Sequence, residues 1–200
     1  MSSTFISQLG LRRSIYALSK QNFPLKHEQV VKIVEEVIAA TPSSFNNQTN
    51  RAIVLFGDSH DKLWKDIAYN ALKAVVPAEA FESTAQKINL FAGGYGTVLF
   101  FQDTSVIRDF EAKFPPYAAN FAPWSEQSSG SAQISVWTAL ALENVGANLQ
   151  HYNELIAEKV AAEFKAPADW KLTSQLVFGT KARDPNPKQT LPGSETVKSA

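Results

Sequence analysis

The sequence predicts one three-layer domain of α+β or α/β type, with helices covering a central sheet. Three observations carry that expectation. Apolar residues recur at helical spacing in several segments, and short β-branched or aromatic runs stand between them. No clean repeating βα unit orders these pieces. The chain of 200 residues, 44% hydrophobic and 19% charged, is long enough to bury one sizeable core.

Taken in order, Ser3 is placed to cap a short helix bearing Phe5, Ile6 and Leu9 and closed by Gly10. Arg12-Arg13-Ser14 follows. From Lys26 to Ala40, Val30, Val34, Val37 and Ile38 mark one helix face, and Pro42 stops that helix. Ala52 to Phe56 reads as a buried strand. Asp58 or Ser59 then caps a helix carrying Leu63, Trp64, Ile67, Ala71, Leu72 and Val75, with His60 as an exposed polar residue in its first turn and Pro77 at its end. A helix over Glu79 to about Phe91 closes at Gly93-Gly94, and Thr97 to Phe101 reads as a second strand. Gly93-Gly94-Tyr95-Gly96 precedes a strand instead of joining a strand to a helix, which excludes a dinucleotide fingerprint or a phosphate-binding P-loop.

A helix from about Ser105 to Phe114 leads into Pro115–Gly130, which shows no periodicity and holds Tyr117, Phe121 and Trp124. An irregular stretch this rich in aromatics is expected to be a lid or an arm packed on a partner. Ser131 to Asn144 reads as a separate apolar helix with Ile134, Trp137, Leu140 and Ala141, buried in the core or a dimer interface. Gly146 to Asn153 reads as a turn into a helix over roughly Glu154 to Phe164. Leu172 to Phe178 is the third strand, and the tail beyond Gly179 is polar, with Lys181, Arg183 and Lys188. No internal repeat or low-complexity linker interrupts the chain, so residues 1–200 are expected to form a single domain.

Composition narrows the chemistry. Lys plus Arg equals Asp plus Glu at 19 each, so no global field draws the chain to nucleic acid or to anionic lipid. Cysteine is absent, which removes disulfides, thiolate nucleophiles and thiolate metal sites. Redox chemistry would therefore belong to a bound organic cofactor or a non-thiolate metal. His27, His60 and His151 are scattered without ligand spacing, so no metal centre is expected. No apolar run approaches the ~20 residues of a membrane span, and no secretion signal opens the chain, so a cytoplasmic protein is expected.

Pro42-Ser43-Ser44-Phe45-Asn46-Asn47-Gln48 is the stretch around which function is organised. Its amides and hydroxyls, with Arg51 just beyond, suit the alternating donors and acceptors of a planar polar heterocycle such as a flavin, and loop chemistry alone would also explain them. Arg12-Arg13-Ser14 could be solvated surface charge or an anion clamp for phosphate.

These segments together resemble the nitroreductase family of flavoproteins, in its short branch of about 200 residues. The resemblance rests on Arg12-Arg13-Ser14, the 42–48 loop with Arg51, Gly94 to Phe101, Trp124-Ser125-Glu126, Trp137 to Leu140, and Gly146 to Asn153. It implies an α+β three-layer sandwich with a central mixed sheet, dimerising so that two FMN molecules bind at the subunit interface. By that resemblance, Arg12, Arg13 and Ser14 contact the ribityl phosphate and the pyrimidine side of the flavin. Ser44, Asn46 and Gln48 reach the ring from the partner subunit, Gln150 and His151 bring backbone near flavin N5, and Lys87 reaches the O2 side. Lys188 meets the phosphate, with Lys181 and Arg183 as competitors. Phe45, Tyr117, Phe121 and Trp124 become walls of a stacking pocket for small planar aromatic acceptors, whereas Trp64 and Trp137 read as packing.

The implied activity is a ping-pong oxidoreductase: NADH or NADPH reduces FMN, then a nitroaromatic or quinone takes the electrons, with no side-chain nucleophile required. The alternative is a flavin-binding stress-response or regulatory protein with only incidental reductase activity.

Overall fold

The computed structural model describes residues 4–199, so the cap expected at Ser3 lies outside the described residues. Three strands carry most of the sheet: β2 (Asn50–Phe56), β3 (Gly96–Asp103) and β5 (Trp170–Lys181). β3 pairs antiparallel with both β2 and β5. Its apolar run is buried on both faces, as a central strand requires. β4 (Val145–Gln150) pairs antiparallel along the opposite edge of β5, and the two-residue β1 (Leu18–Ser19) meets the end of β5. All strand pairings among the described residues are antiparallel. The parallel component of a mixed sheet is confined to one isolated bridge, Ser14 to Ala147.

Side-chain alternation along the strands builds two cores. Val98 and Phe100 of β3, with Leu176 and Phe178 of β5, face α2 (His27–Ala40) and α7 (Ala118–Leu142), where Val30, Val34, Val136 and Leu140 meet them. Leu99, Phe101, Leu172 and Val177 face the other way. They pack on the segment Gly57–Val75, on α5 (Ala78–Ala92) and on α8 (Asn153–Phe164), through Leu63, Trp64, Ile88, Phe91 and Ile156. Gly96 opens β3 where a Cβ would come within 2.5 Å of the Phe178 ring and 2.6 Å of the Leu55 carbonyl, so no larger residue fits. Helices on both sides of one antiparallel sheet make the α+β sandwich.

Three sequence expectations change here. First, Pro115–Gly130 is helical. After a short 3-10 turn at Pro115–Tyr117, α7 runs unbroken for 25 residues and absorbs the helix expected from Ser131. Its buried positions, Phe121, Ser125, Ser128 with Ser129, Ala132 with Gln133, Val136 with Trp137, and Leu140, recur every three to four residues. Serine, alanine and glutamine fill many of them, so no apolar period marks the first half of the helix. Second, Gly146–Asn153 contains strand β4 and is not wholly a turn. Gly146, Ala147 and Asn148 are all buried, and small residues there let Ile15 and Leu18 lie across the strand. Third, His60 is fully buried instead of exposed. The helix after β2 begins as α3 (Gly57–Asp61), widens to π-winding over Lys62–Ala68 and resumes as α4 (Tyr69–Val75). His60 Nδ1 and Trp64 Nε1 each lie 2.9 Å from the Thr97 hydroxyl, a contact within the sheet that a helical wheel does not contain.

Candidate functional site

The sequence-selected residues gather at two places on opposite edges of the sheet. At the β4 edge, the chain leaves α1 (Thr4–Leu11) and is pinned to the strand. Ile15 N–H donates to the Ala147 carbonyl at 2.8 Å, and the buried Asn148 amide donates to the Ile15 carbonyl at 2.9 Å. Gln150 Nε2 donates to Asn148 Oδ1 at 2.8 Å, which orders the last residue of the strand. Ser14 is thereby fixed beside Ala147, and Gln150 and His151 follow at the end of the same strand.

The two arginines diverge. Arg13 Nη2 donates to the Asn186 carbonyl at 2.5 Å and ties down the tail. Ser14, Tyr16, Arg183 and Asn186 then line a cavity of about 200 Å³. Arg12 lies over the indole of Trp137 on α7, with its guanidinium carbon 4.4 Å from the ring centroid. Burial lowers the Arg12 pKa, and the neighbouring Arg13 charge lowers it further. Neither arginine has an acidic partner among the described residues. Arg12 Nε and Trp137 Nε1 are both buried donors without an acceptor, which is a costly state unless something supplies one.

The other basic candidates are less committed. Lys181 Nζ donates to Asn144 Oδ1 at 3.0 Å, whereas Lys87 on α5 and Lys188 in the tail are exposed, with no hydrogen bond or ion pair among the described residues. Arg183 is the tail residue that the fold brings to Ser14. His151 is exposed and borders a cavity of about 570 Å³ with Gln102, Ser129, Gln133 and Thr173, where β4 ends and leaves the start of β5 uncovered.

At the β2 edge, Ser44–Asn46 forms a single 3-10 turn. Phe45, Asn46 and Gln48 all have φ near +50°, a conformation that side chains other than glycine adopt at a cost. The loop is held by Gln48 N–H donating to Ser43 Oγ at 2.9 Å and by Arg51 Nη1 donating to the Gln48 carbonyl at 2.6 Å. Arg51 also pairs with Asp103 at 3.0 Å, so it braces the loop and is not free for a heterocycle. Burial pushes the Asp103 carboxyl up, but the Ser105 hydroxyl, the amides of Val106 and Ser105, and Arg51 together hold it below its ordinary value.

The backbone strain presents Phe45 outward, half exposed, against an aromatic cluster. Its ring lies 4.8 Å from Phe114, 5.6 Å from Phe121, 5.8 Å from Tyr117 and 6.3 Å from Trp124, centroid to centroid. The four aromatics expected as pocket walls therefore meet, and Phe114 joins them. Phe121 is fully buried and anchors the group. Asn46 and Gln48 are exposed, Ser44 is half-buried, and Asn47 is buried with both amide atoms unpartnered. Asn47 and Trp137 are the functional candidates that the sequence reading passed over. An amide in a loop of amides and a tryptophan on an apolar helix carry no local signal of their contacts.

The two places do not touch. Three strand spacings, roughly 14 Å, separate the β4 and β2 strands, so one chain offers two half-sites facing different ways.

Comparison with known proteins shows which family the chain belongs to. A model described as the nitroreductase family matches residues 10–180. The chain is 41% identical to nitroreductase CinD from Lactococcus lactis, solved in complex with chloramphenicol, over 98% of this chain and 100% of that one, with a TM-score of 0.90. It is 39% identical over 191 residues to HBN1 of Saccharomyces cerevisiae, covering 93% of this chain and 92% of the relative. A structure from Desulfovibrio desulfuricans in complex with FMN, 17% identical, shares the fold at a TM-score of 0.69 over 100% of this chain and 98% of that one. The chain belongs to the nitroreductase family and has its α+β fold. It is accordingly an oxidoreductase of the nitroreductase type.

Proposed function

We propose that this protein is an FMN-dependent oxidoreductase that accepts hydride from NADH or NADPH and passes electrons to nitroaromatics or quinones, working as a homodimer. The observation that carries this reading is the pair of half-sites on opposite sheet edges. One is rich in cations and unpartnered donors, and the other is a loop of amides and aromatics. A second copy of the chain would bring the loop of one protomer to the donors of the other, and each dimer would hold two equivalent sites.

The residues fit the cofactor. Arg12 and Arg13 directly precede Ser14 and have no acidic partner among the described residues, and Arg183 lines the cavity at Ser14 together with Asp184; two unpaired guanidinium groups and Arg183 would suit a phosphate dianion. Lys188 in the tail and Lys87 on α5 are exposed cations, and on this reading they would reach the phosphate and the O2 side of the ring. Ser14 would serve the pyrimidine edge. Gln150 and His151, ordered by the Asn148 bond, would hold the ring in place from the end of β4. Bound there, FMN supplies the two-electron chemistry that no side chain of this chain can perform. Ser44, Asn46 and Gln48 of the second copy would satisfy the ring's polar edges. Phe45, Tyr117 and Trp124, backed by the buried Phe121, would exclude water and stack against a planar acceptor. Aromatic ligands bound to CinD, such as 4-nitrophenol and nicotinic acid, support an acceptor of that class.

The test is a visible spectrum of the purified protein, followed by anaerobic NADH or NADPH. The reading expects a flavin spectrum that bleaches and is restored by a nitroaromatic or a quinone. A flavin spectrum that neither nucleotide bleaches would leave a binding protein and no reductase. In a second test, Asn46→Leu should weaken FMN binding about tenfold by leaving a polar edge of the ring unpaired. Unchanged affinity would remove the loop from the site.

A further inference from the structure

We propose that Trp137 is a positioning residue for Arg12, and that the stacked pair sets a preference for phosphorylated over unphosphorylated flavin. This inference rests on the FMN reading above but assigns a role to a residue that otherwise looks like core.

The geometry is specific. Trp137 sits on the buried face of α7, in line with Val136 and Leu140, and its side chain is 8% exposed. The Arg12 guanidinium lies 4.4 Å from its ring centroid. A flat cation over an indole face gains electrostatic and stacking contact, and one rotamer of a long side chain is selected in advance. Without that support, Arg12 would be a half-buried cation beside Arg13, disfavoured by burial and by like charge. The indole thus holds Arg12 in a place where its charge repels its neighbour.

Both members of the stack also keep a buried donor in reserve. Arg12 Nε and Trp137 Nε1 have no acceptor. A ligand that brings anionic oxygens to this point would relieve two unsatisfied donors and a cation–cation repulsion together. Arg13 uses Nη2 on the Asn186 carbonyl and has no aromatic ring beneath it among the described residues, so its guanidinium is held differently from that of Arg12. The flavin ring and ribityl chain offer no such charge, so the benefit falls on the phosphate alone.

The experiment titrates deflavinated protein with FMN and with riboflavin, following flavin fluorescence, for the wild type, Arg12→Ala, Trp137→Leu and the double variant. The expected result is that each single variant weakens FMN at least tenfold and riboflavin less than twofold, and that the double variant is no worse than either single. Trp137→Phe, which keeps a face for the cation, should stay within about threefold of the wild type. Arg12→Lys keeps the charge, loses the flat stack and leaves the core untouched, so it should behave like Trp137→Leu even if that variant folds poorly.

Equal losses for FMN and riboflavin in Trp137→Leu would make the indole structural and overturn the proposal. A loss in Arg12→Ala with none in Trp137→Leu and none in Arg12→Lys would keep the clamp but remove the positioning role. A wild-type protein that binds neither flavin would instead refute the cofactor reading itself.

Discussion

The two faces of the sheet bury polar side chains by different means. Beneath Gly57–Val75, two rings converge on one hydroxyl: Trp64 Nε1 donates to Thr97 Oγ1 at 2.9 Å, and His60 Nδ1 shares a hydrogen bond with the same oxygen at 2.9 Å. Beneath the first half of α7, a seam of small polar residues is spread along the sheet. Asn50 Nδ2 donates to Ser128 Oγ, which donates to the Pro42 carbonyl, and Gln133 Nε2 donates to Ser129 Oγ. Ser125 Oγ and Gln102 Nε2 are buried there with no partner. The first arrangement gathers around a single atom, leaves His60 Nε2 buried without a partner, and depends on that ring staying neutral. The second spreads its bonds, so its members should differ widely in worth.

The cluster around Thr97 should produce the larger effect. Burial, with a smaller push from Lys20, lowers the His60 pKa from 6.5 to about 4, against the opposing pull of the Ala92 and Phe91 carbonyls and Asp61. The unfolded chain then binds more protons than the folded one between those values. Stability from this group is therefore full above about pH 6.5 and is lost as the pH falls toward 4, by about 3 kcal/mol over the window. Urea unfolding at pH 7 and pH 4.5 should show this slope in the wild type and a clearly shallower one in His60→Gln. Equal slopes would mean that His60 is charged in the fold.

Ser128→Ala breaks the seam where it matters most. It strands the Asn50 amide and the Pro42 carbonyl at once, which should cost about 1–2 kcal/mol. Because Pro42 opens the loop with three positive φ values, hydrogen exchange over residues 43–48 should quicken in the same variant. Loss of stability without faster loop exchange would separate the seam from the loop.

The contrast between the faces also explains what could be seen from sequence. β2, β3 and β5 were legible because Ile53, Val98, Leu99 and Leu176 announce buried strands. The π-wound turn was not, since Trp64 within it bonds Thr97, more than thirty residues away. The first half of α7 hid because Ser125, Ser128 and Ala132 occupy core positions usually filled by larger apolar groups, and β4 hid because Asn148 finds its partner at Ile15. At the candidate site, the aromatics expected together do meet around Phe45. The stack of Arg12 on Trp137 and the separation of the two half-sites arise from topology, which no local motif records.

Ser125 gives the smallest expected effect and sharpens the comparison most. Its hydroxyl is buried and makes no bond, so the fold already bears the cost of removing it from water. Ser125→Ala deletes that hydroxyl and leaves no orphan behind, and alanine also has the better helix propensity. Urea unfolding should therefore show a change within about 0.5 kcal/mol, toward greater stability, one turn away from a serine whose loss is costly. A destabilisation as large as that of Ser128→Ala would show that Ser125 has a bonded partner such as an ordered water. The seam would then hold Ser125 by a bond, as it holds Ser128.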